Sequence, residues 1–186
     1  MKDTSIMQMA YITAQSSKCL SYKVGAVIAK NSRIIATGRN GTAQGMDNPD
    51  EVAFDRGWAE QVNVPGKNES MLMLLEKHSD EYSAWAKGEI IHAEINAMLF
   101  AARNGTAIQG ATMYCTLSPC VDCAKAIAQS GIKRLVYCDE YSHCGEGWVF
   151  YLKNAGIDVV KLDKSSLDML NWDNVISKQP RVEIDE

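Results

Sequence analysis

TMYCTLSPCVDCAKAIAQSGIKRLVYC, residues 112–138, sets the reading of the chain. Thr112–Thr116 has the composition of a strand. Pro119–Gln129 reads as a helix, with Pro119 near its start and Gly131 just past its end. Lys133–Cys138 is a second strand. Strand, helix and strand in this succession imply parallel pairing through a right-handed crossover. The same alternation extends outward. Upstream, His92–Arg103 is a helix ended by Asn104-Gly105. Downstream come a helix at Trp148–Asn154, stopped by Gly156, a strand at Ile157–Lys161 and a terminal helix at Ser165–Leu170. Near the start, residues 4–17 form a helix with Ile6, Met9, Ala10 and Thr13 on one side. Val24–Ala29 and Arg33–Thr37 are strands that Asn31-Ser32 joins as a hairpin. The expected class is α/β, a five-stranded mixed sheet with helices on both faces. Residues 42–88 hold Pro49, Pro65 and several glycines, with Met71–His78 as a helix. They carry too few apolar residues for a core of their own, so they read as an irregular insertion in a single domain, 1–186.

Composition narrows the function. The 186 residues are 46% hydrophobic and 23% charged, as in a globular soluble protein. No apolar run is long enough to span a bilayer. Met1-Lys2-Asp3-Thr4-Ser5 lacks the apolar core of a signal peptide, so the expected location is cytoplasmic, with no membrane partner. The net charge is −4 and the pI is about 5.4. A grip on a long nucleic acid calls for a basic face, whereas a single nucleotide needs only a local basic pocket. Six cysteines are present, Cys19, Cys115, Cys120, Cys123, Cys138 and Cys144. In a reducing compartment they are thiols or metal ligands rather than disulfides.

Two short motifs carry the chemistry, Ile91-His92-Ala93-Glu94 and Ser118-Pro119-Cys120-Val121-Asp122-Cys123. Imidazole nitrogen and thiolate sulfur suit tetrahedral zinc, and three protein ligands leave a fourth position open, as in catalytic sites. Cys120 and Cys123 are three apart at a helix start, so they share a face. The helix dipole and free N–H groups there favour thiolates. His92 opens the other helix, so two helix starts converge on one ion. Glu94 is offset from His92 and need not bind the metal. Zinc lowers the pKa of a bound water to about 7, and a carboxylate beside it can take that proton and deliver it to a base ring. Either fragment alone has bland readings: a redox pair, half of a structural zinc site, an ordinary histidine. His-x-Glu followed by Pro-Cys-x-x-Cys is the signature of zinc nucleobase deaminases.

With these motifs the sequence resembles the deoxycytidylate deaminase family, especially its phage members, within the zinc-dependent cytidine deaminase-like superfamily. The resemblance is densest over Ser21–Ile28, Ala36–Thr42, Ile91–Gly105 and Gly110–Cys138. It implies a three-layer cytidine deaminase-like fold and hydrolytic deamination of dCMP. It also implies a homohexamer, activation by dCTP with Mg²⁺ and inhibition by dTTP. His92, Cys120 and Cys123 match the zinc ligands and Glu94 the proton shuttle. Asn40 matches a loop residue at the sugar. Thr116 and Ser118 lie on the loop bordering the base, and Tyr141 stands where the family places an aromatic near the substrate. The allosteric loop, Gly-Tyr-Asn-Gly in many relatives, is Gly38-Arg39-Asn40-Gly41 here. Arg39 and Lys23 are either phosphate contacts or solvated surface cations. Some phage members hold a second, structural zinc. This chain keeps Cys19 but has no cysteine in the insertion, and Tyr82 replaces the expected histidine, so one zinc per chain is expected. His78 is expected to be exposed on an insertion helix, and His143-Cys144 to lie in a loop.

Arg56, Lys67, Lys77 and Arg103 are the candidate cations for a 5′-phosphate. Three rival readings stay open. One is deamination of a base within a polynucleotide, which needs a basic groove and stacking aromatics. Another is dCTP as the main substrate. The last is a non-catalytic zinc-stabilised module, which requires a closed four-ligand site.

Overall fold

The computed structural model describes residues 2–63, 70–141 and 147–167. Helix α1 (Asp3–Gln15) precedes β1 (Gly25–Lys30) and β2 (Arg33–Arg39). Then come α2 (Pro49–Asp55), β3 (Ala59–Asn63), β4 (Ser70–Leu74) and α3 (Ser79–Glu89). The remainder is α4 (Ala93–Arg103), β5 (Thr112–Leu117), α5 (Val121–Gln129), β6 (Arg134–Asp139), α6 (Gly147–Asn154) and β7 (Asp158–Lys161).

The main sheet runs β2-β1-β5-β6-β7. β1 is antiparallel to both its neighbours, and β5, β6 and β7 are parallel. This is the expected mixed five-stranded sheet. Asn31 and Ser32 both have positive φ, 51° and 60°, as a two-residue hairpin turn matched to strand twist requires.

Period-two alternation sorts the strand side chains onto two faces. Ala26, Ile28, Met113, Cys115, Leu135 and Tyr137 pack with buried residues of α4, α5 and α6. Val27, Ala29, Tyr114, Val136 and Cys138 pack with Ile6, Met7 and Ala10 of α1. Helices therefore cover both faces. The apolar stripe of α1 is Ile6, Met7, Ala10 and Ala14, while Met9 is 39% exposed. The expected Met9/Thr13 side is thus rotated by about one position. The Thr13 hydroxyl bonds the Met9 carbonyl at 2.8 Å instead.

Two glycines bring helices unusually close to the hairpin. A Cβ on Gly25 would collide with backbone atoms of Ala10 and Ala14 in α1, and one on Gly38 with backbone atoms of Ala93 and Ala97 in α4. The hairpin is therefore clamped between α1 and α4.

The 42–88 segment departs from its reading. Ser70–Leu74 is not helical but a strand paired antiparallel with Ala59–Asn63. Met and Leu favour helices in isolation, yet here alternate residues divide. Met71 and Met73 face solvent, and Leu72 and Leu74 pack against a small cluster around Ala53, Ala59 and Tyr82. Pairing and half-burial override propensity. That cluster also takes in Leu20. The Tyr82 hydroxyl accepts a hydrogen bond from Leu20 N–H at 3.0 Å, beside buried Cys19. His78 ends a 3₁₀ turn, Glu76–His78, half-buried rather than on an exposed helix face. Near the end, Lys164–Ser166 forms one 3₁₀ turn. Leu167 is extended (φ −83°, ψ 103°), so the expected terminal helix does not continue through it; residues 168–170 lie outside the described residues, as do His143, Cys144 and Lys67.

Gly38→Ala is expected to destabilise the protein by about 1–3 kcal/mol or more, since the added methyl meets backbone on α4. Gly88→Ala, which meets nothing within 4 Å inside α3, should stabilise it by about 0.5–1 kcal/mol. Denaturant midpoints of the two variants check the contrast.

Candidate active site

Two helix starts meet at one point. His92 is the extended residue that caps α4 (φ −68°, ψ 153°), and Cys120 caps α5 in the same way (φ −70°, ψ 169°). Pro119 thus lies before the cap, not in the first helical turn. The Cys120 sulfur accepts the Cys123 N–H at 3.4 Å, which satisfies one of the free donors at the helix start.

The Nδ1 of His92 lies 3.4 Å from the Cys120 sulfur and 3.3 Å from the Cys123 sulfur. All three donor atoms fall within 4.8 Å of one another. Zinc bonds of about 2.0 Å to nitrogen and 2.3 Å to sulfur, at a tetrahedral angle, place the two donors roughly 3.5 Å apart. The donor set and its spacing therefore fit zinc. Among the described residues no fourth histidine, cysteine or carboxylate joins the cluster.

Glu94, in the first turn of α4, is 4% exposed, and burial raises its carboxyl pKa above the ordinary range. Hydrogen bonding with Cys123, then with His92 and the Cys123 amide, pulls the Cys120 thiol down to about 4. Its bond to Cys120, together with burial, drives the Cys123 thiol up. The bond to Cys120 raises His92 against the opposing effect of burial.

The surrounding residues are already engaged. Asn40 Oδ1 accepts from the Ser17 hydroxyl at 2.7 Å and from Val24 N–H at 2.9 Å, and its Nδ2 donates to the Tyr22 carbonyl at 2.7 Å. The buried Thr116 hydroxyl accepts Gly25 N–H at 3.2 Å. Ser118 donates its N–H to the Asp139 carbonyl and accepts Tyr141 N–H on its hydroxyl at 2.8 Å. Tyr22 and Ser17 carried no role in the sequence reading. Their partners are distant in the chain, so no local spacing marked them.

Arg39, Asn40 and Gly41 line a cavity of ≈ 350 Å³ together with Lys18 and Arg103. None of the three metal-capable donors lines it. Gly38 packs on α4 instead, and Lys23 is exposed before β1. Arg56 sits over the Trp58 ring at 4.8 Å.

A five-stranded sheet covered by helices on both faces, with this cluster at paired helix starts, matches the class of zinc nucleobase deaminases. The family model described as cytidine and deoxycytidylate deaminase zinc-binding region matches residues 1–139, and the chain belongs to that family. It is 48% identical over 189 residues to deoxycytidylate deaminase of Enterobacteria phage T4, covering 94% of this chain and 97% of that protein. The phage T2 protein of the same name matches with the same identity and coverage. The fold is similar to that of the crystal structure of dCMP deaminase from cyanophage S-TIM5 in complex with dCMP and dUMP. Its TM-score is 0.62 at 30% identity, over 87% of this chain and 99% of that one.

In chelator-treated protein, iodoacetamide at pH 6 is expected to label Cys120 roughly tenfold or more ahead of Cys19, Cys115, Cys123 and Cys138. Those four are buried and their thiols are raised. Added zinc should suppress the labelling. Peptide mass spectrometry reads both effects.

Proposed function

We propose that the chain, as one deaminase domain over residues 1–186, hydrolyses dCMP to dUMP and ammonia and so supplies dUMP for dTMP synthesis. One zinc per chain is held by His92, Cys120 and Cys123, and Glu94 carries the protons. The observation that bears most weight is the cluster itself: one imidazole nitrogen 3.3–3.4 Å from two sulfurs, with a buried carboxyl on the same helix start.

Zinc, when bound, supplies the Lewis acidity that makes water nucleophilic at neutral pH. The rest is the work of the chain. Glu94 takes a proton from the attacking water and places it on N3 of the cytosine ring while oxygen bonds to C4. It then takes the second proton, from the C4 hydroxyl, and passes it to the departing amine; the C4–N bond breaks, and ammonia leaves a C4 carbonyl behind. A carboxyl raised by burial suits a group that must accept and return a proton. Asn40, Thr116, Ser118 and Tyr141 border the nucleotide. Their hydrogen bonds within the protein hold the loops that carry them in a fixed arrangement.

The names of the phage relatives and the ligands of the S-TIM5 structure favour dCMP as substrate over dCTP. The acidic balance, net charge −4, disfavours a polynucleotide. Three donors rather than four among the described residues disfavour a closed structural zinc module.

The loop Gly38-Arg39-Asn40-Gly41, with Lys23, is proposed as a regulatory nucleotide site. dCTP with Mg²⁺ activates there and dTTP inhibits, within a homohexamer in the cytoplasm of a host cell. Its support is the cavity on Arg39, Asn40 and Gly41, which gathers the cations of Lys18, Arg39 and Arg103.

Glu94→Gln should retain zinc and fold while the turnover of dCMP falls by about 10²–10⁴-fold. His92→Ala and Cys120→Ala should lose zinc as well as turnover. Ammonia release from dCMP, dCTP and cytidine, with and without dTTP, beside metal analysis of each variant, is the measurement. Near-normal turnover in Glu94→Gln refutes the role of Glu94, and preferred release from dCTP refutes the substrate.

A further inference from the structure

Two tyrosine rings meet across the two halves of the site. Tyr22 and Tyr141 stand edge to face, their centroids 5.7 Å apart at 90°. They arrive from opposite sides. The Tyr22 carbonyl is held by the Asn40 side chain at 2.7 Å. Gly41, the next residue, exchanges two backbone hydrogen bonds with Ile91, of 3.1 and 2.8 Å, immediately before His92. On the other side, the Tyr141 N–H is held by Ser118 at 2.8 Å, two residues before Cys120. A circuit therefore runs from His92 through Ile91, Gly41 and Asn40 to Tyr22, crosses to Tyr141, and returns through Ser118 to Cys120. Cys120 and His92 close it at 3.4 Å.

Every link but one in that circuit is a covalent or polar contact. The exception is the ring pair, worth little on its own beyond the area it covers. Tyr22 is also 48% exposed. A half-exposed aromatic residue on backbone pinned this firmly is placed to meet a ligand as well as Tyr141.

We infer that Tyr22 is a substrate-positioning residue: with Tyr141 it forms a two-ring wall against which the pyrimidine nucleotide seats above the metal-capable cluster. The inference rests on the deaminase reading given above. The ring face does the work, and the hydroxyl is dispensable.

The test uses the zinc-loaded full chain. Tyr22→Ala and Tyr22→Leu are expected to raise the KM for dCMP about tenfold, the scale of one lost stacking contact. The change in kcat should be far smaller, with zinc content and thermal midpoint near those of the parent. Tyr22→Phe should restore the parent KM. The leucine variant keeps bulk without a ring, so it separates stacking from filling. The assignment is overturned by a KM within twofold of the parent in both ring-less variants. It is equally overturned by a KM rise matched by loss of zinc or of kcat, or by a failure of Tyr22→Phe to restore KM. A parent that releases no ammonia from dCMP overturns the functional reading together with this one, whereas an active parent with a flat KM overturns this one alone.

Discussion

Two helices must begin at the same place. The starts of α4 and α5 each expose unpaired N–H groups and the positive end of a helix dipole, and bringing two such ends together is unfavourable unless negative charge lies between them. Cys120, Cys123 and Glu94 supply it. Cys120 accepts an N–H of its own helix as cap, and Glu94 sits in the first turn of the other. Burial is the chief cause of the raised Glu94 and the bond to Cys120 that of the raised Cys123, with repulsion from neighbouring negative charge adding to each. A dication held by the imidazole and the sulfurs balances that excess. The helix ends, the acidic side chains and the proposed zinc are thus one electrostatic arrangement, in which removal of any part leaves the others strained.

Small residues set the geometry that this arrangement needs. α4 faces the sheet with Ala93, Ala97 and Ala101, against Ala26 and Ala36, and Gly38 admits its backbone closer still. On the opposite face Gly25 does the same for α1. The depth of α4 fixes where His92 stands relative to the end of β5, three residues before Cys120. A methyl group on Gly38 would meet the backbone of Ala93 and Ala97, so α4, and the imidazole at its start, would have to shift.

Much of this was readable from the chain. Strand and helix alternation from His92 to Lys161, the hairpin at Asn31-Ser32 and the convergence of His92, Cys120 and Cys123 all follow from local signals: periodicity, turn residues and ligand spacing. The failures share a cause. Met71–Leu74 has helical composition, and only its partner Ala59–Asn63 makes it a strand. On α1, Met7 and Met9 are equivalent in hydrophobicity, and only the sheet chooses which of them is buried. Asn40, expected at the sugar, also braces Ser17, Tyr22 and Val24 through its amide, which no local signal announces. Such bracing joins loops whose meeting is a property of the folded state.

Asn40 is where the two proposed sites touch. It lines the cationic cavity, and from the same position it holds the Tyr22 carbonyl. Its neighbour Gly41 is bonded to Ile91 beside His92, and the Arg39 carbonyl is bonded to Asn96 of α4 at 2.8 Å. Under the proposed regulation, a triphosphate at Arg39 would act on a loop tied at three points to α4, Ile91 and Tyr22. Coupling of this kind is reciprocal: whatever free energy the effector contributes to substrate binding, substrate contributes to effector binding. The physical requirement is a loop with two arrangements of nearly equal free energy. The short chain of hydrogen bonds from Arg39 to His92 means that no relay through the core is needed to connect them.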